Sequence, residues 1–349
     1  MTGFGLLIII GIVVALCYNF RDRISSFLRI ALFSTLFVIL GYSTYFTTLI
    51  RSSANPSVDM YNVDNPVSLV GYLSRDQYGE WPILYGPDFT YRPPSVDAGD
   101  LYAKGDHEYK KVGKIRKQDF SAKPSDRDLE EITSRHPDWE TSKIGPRLFP
   151  RMYDNSNERN QEYVYRTFGG LDPDEQPNAG SNFYYFLNYQ VRWMYWRYFM
   201  WNFAGKQNDL QGFGNSRDGN WASGINFLDE KIFKTSTPDI LPETAGHNNK
   251  ANNKLFFLPF LFGIVGIVFQ FKHHLKDFIV SFLLFFLTGF AIVIYLNQSG
   301  YQPRERDYAF VGSFYAYCIW IGIGVLWLAD LLQKGIKGPW AQYLAFGIS

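Results

Sequence analysis

The sequence predicts a mainly α-helical integral membrane protein with one large, mixed or irregular insertion outside the cytoplasm. Several long stretches carry no charged residue, and each approaches the roughly 20 residues that a helix needs to cross a bilayer. Most of the charge lies in residues 51–254, so a mean hydropathy of -0.16 conceals the apolar stretches. Aromatic residues make up 18% of the chain, which is typical of proteins with side chains at both membrane interfaces.

We expect about five transmembrane helices and the start of a sixth. The first lacks a basic n-region and a cleavage site, so a helical hairpin over residues 1–50 is a better interpretation than a signal peptide. The sixth begins near Trp340. Because a span opens the chain and another is cut at Ser349, we expect the sequence to be the middle of a longer protein. The five predicted spans are residues 3–18, 30–50, 255–271, 278–296 and 311–329.

Basic residues in three short loops predict the orientation. Loops 19–27, 272–277 and 333–339 each carry two Lys or Arg residues, and counting spans places all three on one side. The positive-inside rule makes that side cytoplasmic. The insertion, residues 51–254, and the loop at 297–312 then share the opposite face, outside the cytoplasm. Residues 255–349 form the second membrane domain.

The insertion alternates between turn-rich and helical segments. Residues 51–100 are rich in Pro, Gly, Asp and Tyr and predict turns and irregular backbone. Ser125 and Asp128 have the spacing of a capping box at the start of a short helix. Residues 181–203 have the length of a helix and a high density of aromatic side chains, and residues 204–224 return to loop.

A charged cluster stands at the mouth of the last predicted span. Arg304 and Arg306 alternate there with Glu305 and Asp307. Charges so close to hydrocarbon are costly unless they pair or bind a ligand. The arginines could bind a lipid phosphate through their planar forks. Mutual pairing with the two acids, which would hold the loop in place, is the alternative, and the two interpretations are compatible.

The aromatic segment offers a second candidate site. Arg192 and Arg197 stand among several tryptophans and tyrosines, including Trp193 and Trp196. Such a helix fits the headgroup layer as an interfacial anchor, and aromatic rings also stack on sugars. We expect residues 181–203 to lie at the membrane surface without crossing, because each buried arginine would cost roughly 2.5–3.5 kcal/mol on insertion.

Other classes of site are not indicated. The histidines show no metal-ligand spacing, and the sequence contains no phosphate-binding loop, dinucleotide fingerprint or nucleophile elbow. A net charge of +1 gives no basic stripe for nucleic acid. We therefore predict no metal, no cofactor and no nucleic-acid partner. Pairs of glycines in the spans, Gly263 with Gly266 and Gly322 with Gly324, indicate close helix packing.

Several motifs together resemble a known family. The sequence QPRERDY at residues 302–308 runs into VGSFY at 311–315 and IWIG at 319–322. This pattern resembles the bacterial membrane-protein family called domain of unknown function 2723, which is related to protein O-mannosyltransferases. Further similar segments are residues 73–88, 192–205 with 207–209, and 219–221.

The resemblance implies a glycosyltransferase-like protein of the bacterial inner membrane. Its donor would be a polyprenyl-phosphate sugar and its acceptor an exported protein, with chemistry on the periplasmic side. Such enzymes use an acidic residue in the first outer loop. We expect that motif ahead of this chain, so we assign no catalytic residue. Lipid-phosphate binding is expected first of Arg304 and Arg306, then of Arg192 and Arg197, and sugar or lipid contact of Trp193 and Trp196.

Two other classes of function stand beside this expectation. A non-enzymatic membrane scaffold or export-complex subunit would use the insertion to bind partner proteins. A transporter comes third, because the predicted spans hold no internal charges for an ion-coupled pathway.

Overall fold

The computed structural model describes residues 26–59, 61–74, 81–104, 108–153, 160–301 and 307–335. Helix accounts for 54% of it, which confirms the mainly α-helical class. The chain divides into two compact units, Met1–Glu80 and Trp81–Ser349. The predicted span at residues 3–18 and the segment from Trp340 lie outside the described residues.

The described part of the first unit contains three helices, α1 (Ser26–Ser43), α2 (Tyr45–Ser52) and α3 (Pro66–Leu73). Helices α1 and α2 together make the apolar stretch Ser26–Ser52, which is long enough to cross a membrane. Helix α3 corrects the expectation that residues 51–100 are irregular throughout. The side chain of Asn65 accepts a hydrogen bond from the backbone N–H of Ser68, and Pro66 occupies the first turn, where its missing N–H costs nothing.

Three separate antiparallel strand pairs occur among the described residues of the second unit. Among them, the hairpin of β2 and β3 was missed by the sequence analysis. The exposed side chains of both strands include many charged groups, so neither strand shows the apolar alternation of a half-buried strand. The pairs are β1 (Tyr85–Gly86) with β4 (Arg147–Leu148), β2 (Ser95–Lys104) with β3 (Tyr109–Gln118), and β5 (Gly205–Lys206) with β6 (Asn253–Lys254).

Two helices in this part of the chain have recognisable caps, one at its start and one at its end. Helix α4 (Asp126–Arg135) starts with the predicted capping box, in which Ser125 and Asp128 bond each other's backbone N–H. Helix α5 (Gln161–Gly169) ends at Gly170, which has a positive φ of 69°. Single turns of 3₁₀-helix at Thr141–Lys143 and Pro238–Ile240, and a π-helical turn at Leu228–Ile232, connect these elements.

The predicted aromatic helix is present and starts two residues early, at the capping box of Asn178 and Ser181. It is continuous from α6 (Ala179–Tyr185) through a π-helical segment (Phe186–Trp196) to α7 (Arg197–Phe203). We call residues 179–203 the aromatic helix. In the π-helical segment the hydrogen bonds reach one residue further back, so the N–H of Arg197 donates to the carbonyl of Arg192.

Four apolar helices follow among the described residues. They match the predicted spans only in part. Leu275–Leu296 and Val311–Leu332 are long and apolar enough to cross a membrane, whereas Leu258–His273 is a shorter apolar helix. With Ser26–Ser52 this gives three candidate spans in the described chain, against the five that we predicted. The helices are α8 (Leu258–His273), α9 (Leu275–Leu287), α10 (Phe290–Leu296) and α11 (Val311–Gly335), the last preceded by a 3₁₀ turn at Asp307–Ala309.

Glycines bring α8 and α11 together, as the glycine pairs predicted. A Cβ at Gly266 would overlap the carbonyl of Trp320, and a Cβ at Gly324 would overlap the carbonyl of Phe262. Gly263 has the Tyr317 ring beside it in the same way. The expectation was wrong for Gly322, where a Cβ would meet nothing within 4 Å. That position faces away from the helix contact.

The aromatic helix packs against these apolar helices. Phe199 and Phe203 share a buried cluster with Tyr317 and Trp320 of α11. The ring centroids of Phe199 and Tyr317 are 4.7 Å apart in an edge-to-face arrangement. The aromatic helix is therefore part of the core of the second unit, and it joins the polar segments to the apolar helices.

Candidate functional site

A cleft of about 790 Å³ lies against the aromatic helix. It brings together four of the six site residues that the sequence predicted, namely Arg192, Trp193, Trp196 and Arg197. The volume falls in the range that is usual for small-molecule sites. Six aromatic rings line the wall beside polar side chains, and they belong to Phe168, Trp193, Trp196, Phe213, Trp221 and Phe233.

Arg197 is a structural part of the cleft. Its side chain is buried, and its Nε donates to the carbonyl of Trp193 at 3.0 Å. A second nitrogen donates to the carbonyl of Gly219 at 2.8 Å. The guanidinium lies 3.9 Å and 4.4 Å from ring centroids of Trp193 and Trp201. With its fork and both faces engaged, Arg197 fixes the loop around Gly219 to the aromatic helix.

Arg192 has a different environment, although it lies only five residues earlier. It is exposed at the cleft, and no described carboxylate pairs with it. Lys234, also exposed, lines the same cleft beside Phe233 and Thr235. No carboxylate occurs among the described lining residues. The two cations therefore leave the cleft with a net positive charge that an anionic ligand could neutralise.

The two predicted tryptophans also differ. Trp193 is buried beneath the Arg197 guanidinium. Trp196 is 39% exposed and stacks on Phe199 with ring centroids 5.4 Å apart. Its ring also meets Phe260 of α8 edge to face. Trp196 thus offers an open ring supported from behind, whereas Trp193 gives the cleft its shape.

The facing wall is the loop at residues 212–221, which buried amides hold in place. Asn208 accepts from the N–H of Gly219, and Gln207 accepts from the N–H of Asn220. Gly219 has a φ of 63°, and a Cβ there would overlap the carbonyl of Leu210. Only glycine fits such a close approach in the left-handed region without strain. This segment was predicted to be a loop, and its position in the wall of a cleft was not predicted.

Arg304 and Arg306, the first choice for lipid phosphate, lie outside the described residues. The preceding Tyr301 contacts the cleft wall, because its ring centroid is 4.3 Å from that of Phe213. The described chain resumes at Asp307, in the turn before α11. The phosphate role of the two arginines stays a prediction.

A buried polar network elsewhere in the second unit was not predicted at all. Arg151 is fully buried, and donates to the carbonyls of Ile83 and Ile294 at 3.1 Å and 3.2 Å. Its guanidinium lies 3.8 Å from the ring centroid of Phe149. Burial lowers the pKa of Arg151 to about 10. Ile294 belongs to the last turn of α10, so the arginine supplies donors that the helix end lacks.

Asn297 connects that network to several distant segments. Its amide nitrogen donates to the carbonyls of Pro82 and Pro150, and its amide oxygen accepts from Gln190 at 3.1 Å. The residue has a φ of 40°, which asparagine tolerates better than most residues. The sequence marked it only as the start of an outer loop.

The described residues contain no group of three or more His, Cys, Asp or Glu side chains that could hold a metal ion. The cleft residues are likewise cations, amides, hydroxyls and aromatic rings, a set suited to polar organic anions.

Comparison with known protein families matches part of the chain. The profile of a family of unknown function, DUF8416, matches residues 79–187. That stretch is less than half of the chain and ends within the first turn of the π-helical segment. No curated protein and no solved structure matches significantly. The resemblance to domain of unknown function 2723 therefore stays a prediction.

Proposed function

We propose that this chain is a glycosyltransferase-like membrane protein whose cleft binds a phosphate-bearing sugar linked to a polyprenyl chain. The observation that carries the proposal is the presence of two exposed cations, Arg192 and Lys234, in a cleft that six aromatic rings also line. A sugar phosphate needs both features, because cations bind the phosphate and aromatic rings pack against the sugar.

The position of the cleft supports a lipid-linked ligand. Trp221 and Phe233 of its wall pack on Phe257, which immediately precedes the apolar helix α8. Trp196 reaches Phe260 within that helix. A ligand in the cleft would therefore have its apolar tail close to the end of an apolar helix, where a bilayer places its headgroups.

The orientation belongs to the same proposal. The basic loops at residues 19–27, 272–277 and 333–339 favour a cytoplasmic side for those loops. We propose accordingly that the protein resides in a bacterial inner membrane, with the cleft on the periplasmic side. An exported protein is the proposed acceptor, in line with the motif resemblance.

The cleft by itself supplies binding and no general base. Glycosyl transfer to a hydroxyl group uses a carboxylate to take up or direct the acceptor proton. The described lining holds none. In this proposal the acidic residue comes from outside the described lining. The same observation favours the second candidate, a non-enzymatic membrane scaffold or export-complex subunit that binds the lipid-linked sugar without transferring it.

Binding to purified protein tests the proposal. The whole chain in detergent would be titrated with farnesyl phosphate and with farnesyl phosphomannose. We expect Arg192→Ala and Lys234→Ala each to weaken binding about tenfold or more, because each removes a charged hydrogen bond to phosphate. Lys250→Ala is the matched control, since Lys250 is exposed and lies off the cleft.

The two probes distinguish the parts of the proposal. Tighter binding of farnesyl phosphomannose than of farnesyl phosphate, lost on Trp196→Ala, would support the sugar contact. Equal binding of the double variant Arg192→Ala, Lys234→Ala and the unchanged protein would rule out the phosphate site. Transfer of mannose from farnesyl phosphomannose to a peptide acceptor would distinguish the enzyme from the non-enzymatic scaffold.

A further inference from the structure

Three cavities lie side by side along helix α5 in the second unit. The cleft described above includes Thr167, which also lines a neighbouring cavity of about 260 Å³. That middle cavity includes Glu162, which also lines a third cavity of about 330 Å³. From Glu162 to Thr167 the helix advances by roughly 7.5 Å, at about 1.5 Å per residue. The shared residues make the cavities neighbours along and around α5, and we call the three cavities together the groove.

The far cavity lies between α4, the start of α5 and the loop at residues 89–92. Its carboxylates and cations offset each other locally. Glu131 pairs with Arg135, and Asp128 is held in its capping box. Glu162 accepts a hydrogen bond from Arg166 at 2.9 Å. Unlike the cleft with Arg192 and Lys234, this end of the groove therefore has no strong excess of either charge.

Aromatic side chains accompany these polar groups along the groove. His136 stacks on Trp139 with ring centroids 4.1 Å apart in the far cavity. Tyr163 projects into the middle cavity and is 57% exposed. Phe168 reaches the cleft at the other end. The exposed ring of Tyr163 and the half-buried rings of His136 and Phe168 lie beside carboxylates, guanidinium groups and hydroxyls. Such a lining suits a ligand that has hydroxyl groups on its edges and C–H groups on its faces.

We propose that this groove binds a neutral oligosaccharide that extends from the cleft along α5 to His136 and Trp139. An extended peptide is the less suitable occupant. Peptides usually bind by adding a strand to a sheet edge or by placing an apolar helix face in an apolar groove. The far and middle cavities are lined from helices and loops, with no strand of the described chain among them, and the wall of the far cavity is largely polar.

The inference goes beyond the proposed phosphate site, because it concerns other residues and a ligand without phosphate. It adds a second binding region in which a glycan chain, either an acceptor or the far part of a larger lipid-linked glycan, would lie. Two of the three cavities fall within residues 79–187, the segment that matches the family of unknown function.

Titration of the whole chain in detergent with cellohexaose, a neutral hexasaccharide, tests the proposal. Tyr163→Ala and Glu131→Gln should each weaken binding about tenfold, because one removes a ring face and the other a charged hydrogen-bond acceptor. Both variants should bind farnesyl phosphate as the unchanged protein does. Failure of the phosphate site would leave the hexasaccharide result unaffected, so the two proposals fail separately.

Matched controls are available for both substitutions. Tyr184 is 60% exposed and lies outside the groove, so Tyr184→Ala should leave hexasaccharide binding unchanged. Glu130 is exposed beside Glu131 on α4 and does not line the cavity, which makes Glu130→Gln the second control. Binding that is absent, or equal in all four variants, would overturn the proposal. A polar decapeptide would serve as the competing ligand. If it displaces cellohexaose, binds more tightly than cellohexaose, and loses affinity on the same two substitutions, the groove binds peptides and the oligosaccharide proposal is overturned.

Discussion

The hydroxyl groups of Tyr195 and Ser313 are 2.6 Å apart and buried, and their hydrogen bond joins the aromatic helix to the first turn of α11. Gly289 lies beside both, and a Cβ there would come within 2.6 Å of the Ser313 oxygen and 2.7 Å of the Tyr195 oxygen. The break between α9 and α10 at Thr288 and Gly289 thus gives the two hydroxyls room to meet.

The burial of Tyr195 predicts a loss of stability at high pH. Burial raises the pKa of Tyr195 from 10.0 to about 12. Because the folded pKa is the higher one, the contribution to stability is complete below pH 10 and is lost as the pH rises towards 12. The difference amounts to roughly 2–3 kcal/mol. Melting temperatures in detergent, measured between pH 9 and pH 12, should fall less steeply in Tyr195→Phe than in the unchanged protein. Melting temperatures that fall in parallel with pH in the two proteins would show that Tyr195 does not cause the loss of stability.

Substitution of Arg197 should lower stability, whereas substitution of Arg192 should lower phosphate binding. Removal of Arg197 leaves the carbonyl of Gly219 and the faces of Trp193 and Trp201 without their partner, at a cost of roughly 2–4 kcal/mol. We therefore expect Arg197→Ala to lower the melting temperature by several degrees. Arg192→Ala should leave it unchanged while weakening phosphate binding. Similar melting temperatures for the two variants would show that Arg197 does not hold the loop.

The helix contact between α8 and α11 predicts a sharp difference among glycines. Gly266→Ala and Gly324→Ala force a methyl group against a backbone carbonyl, so each should destabilise the protein by about 1–3 kcal/mol. Gly322→Ala on the same helix is the control, because its methyl group meets nothing. Thermal unfolding in detergent measures all three. A loss at Gly322 equal to that at Gly324 would contradict the packing explanation, because alanine has a higher helix propensity than glycine and its methyl group meets nothing at position 322.

Cysteine labelling of intact cells checks the membrane orientation. After Cys17 and Cys318 are replaced by serine, single cysteines would be placed at Lys110 and Lys276. Both positions are exposed, on the hairpin strand β3 and at the start of α9. We expect an impermeant maleimide to label the first and not the second, with both labelled after lysis. Equal labelling of intact cells would exclude the proposed topology.

The elements that the sequence predicted best carry their own local signals. Ser125 and Asp128 form the capping box at the expected spacing, because such a cap depends on neighbours only. The aromatic helix was predicted from its length and composition. The grouping of Arg192, Trp193, Trp196 and Arg197 at one cleft follows, since residues that are three to five positions apart lie close together on a helix.

Features that depend on distant segments could not be predicted. The two arginines of the aromatic helix look alike in the sequence, yet Arg197 is locked by Gly219 and Arg192 is open. Arg151 gave no signal, because its partners Ile83 and Ile294 are backbone carbonyls from remote parts of the chain. A carbonyl acceptor leaves no mark on residue identity, so a sequence pattern cannot reveal it.

The contacts of Asn297 also have a consequence for folding kinetics. The hydrogen bond to Pro82 spans 215 positions, and that to Pro150 spans 147. Closing loops of such length is entropically expensive and slows folding. During synthesis from the N-terminus, the segments around Pro82 and Pro150 emerge well before their shared partner. The two segments therefore remain incompletely ordered until α10 has been synthesised. During this interval chaperones or proteases would have access to them.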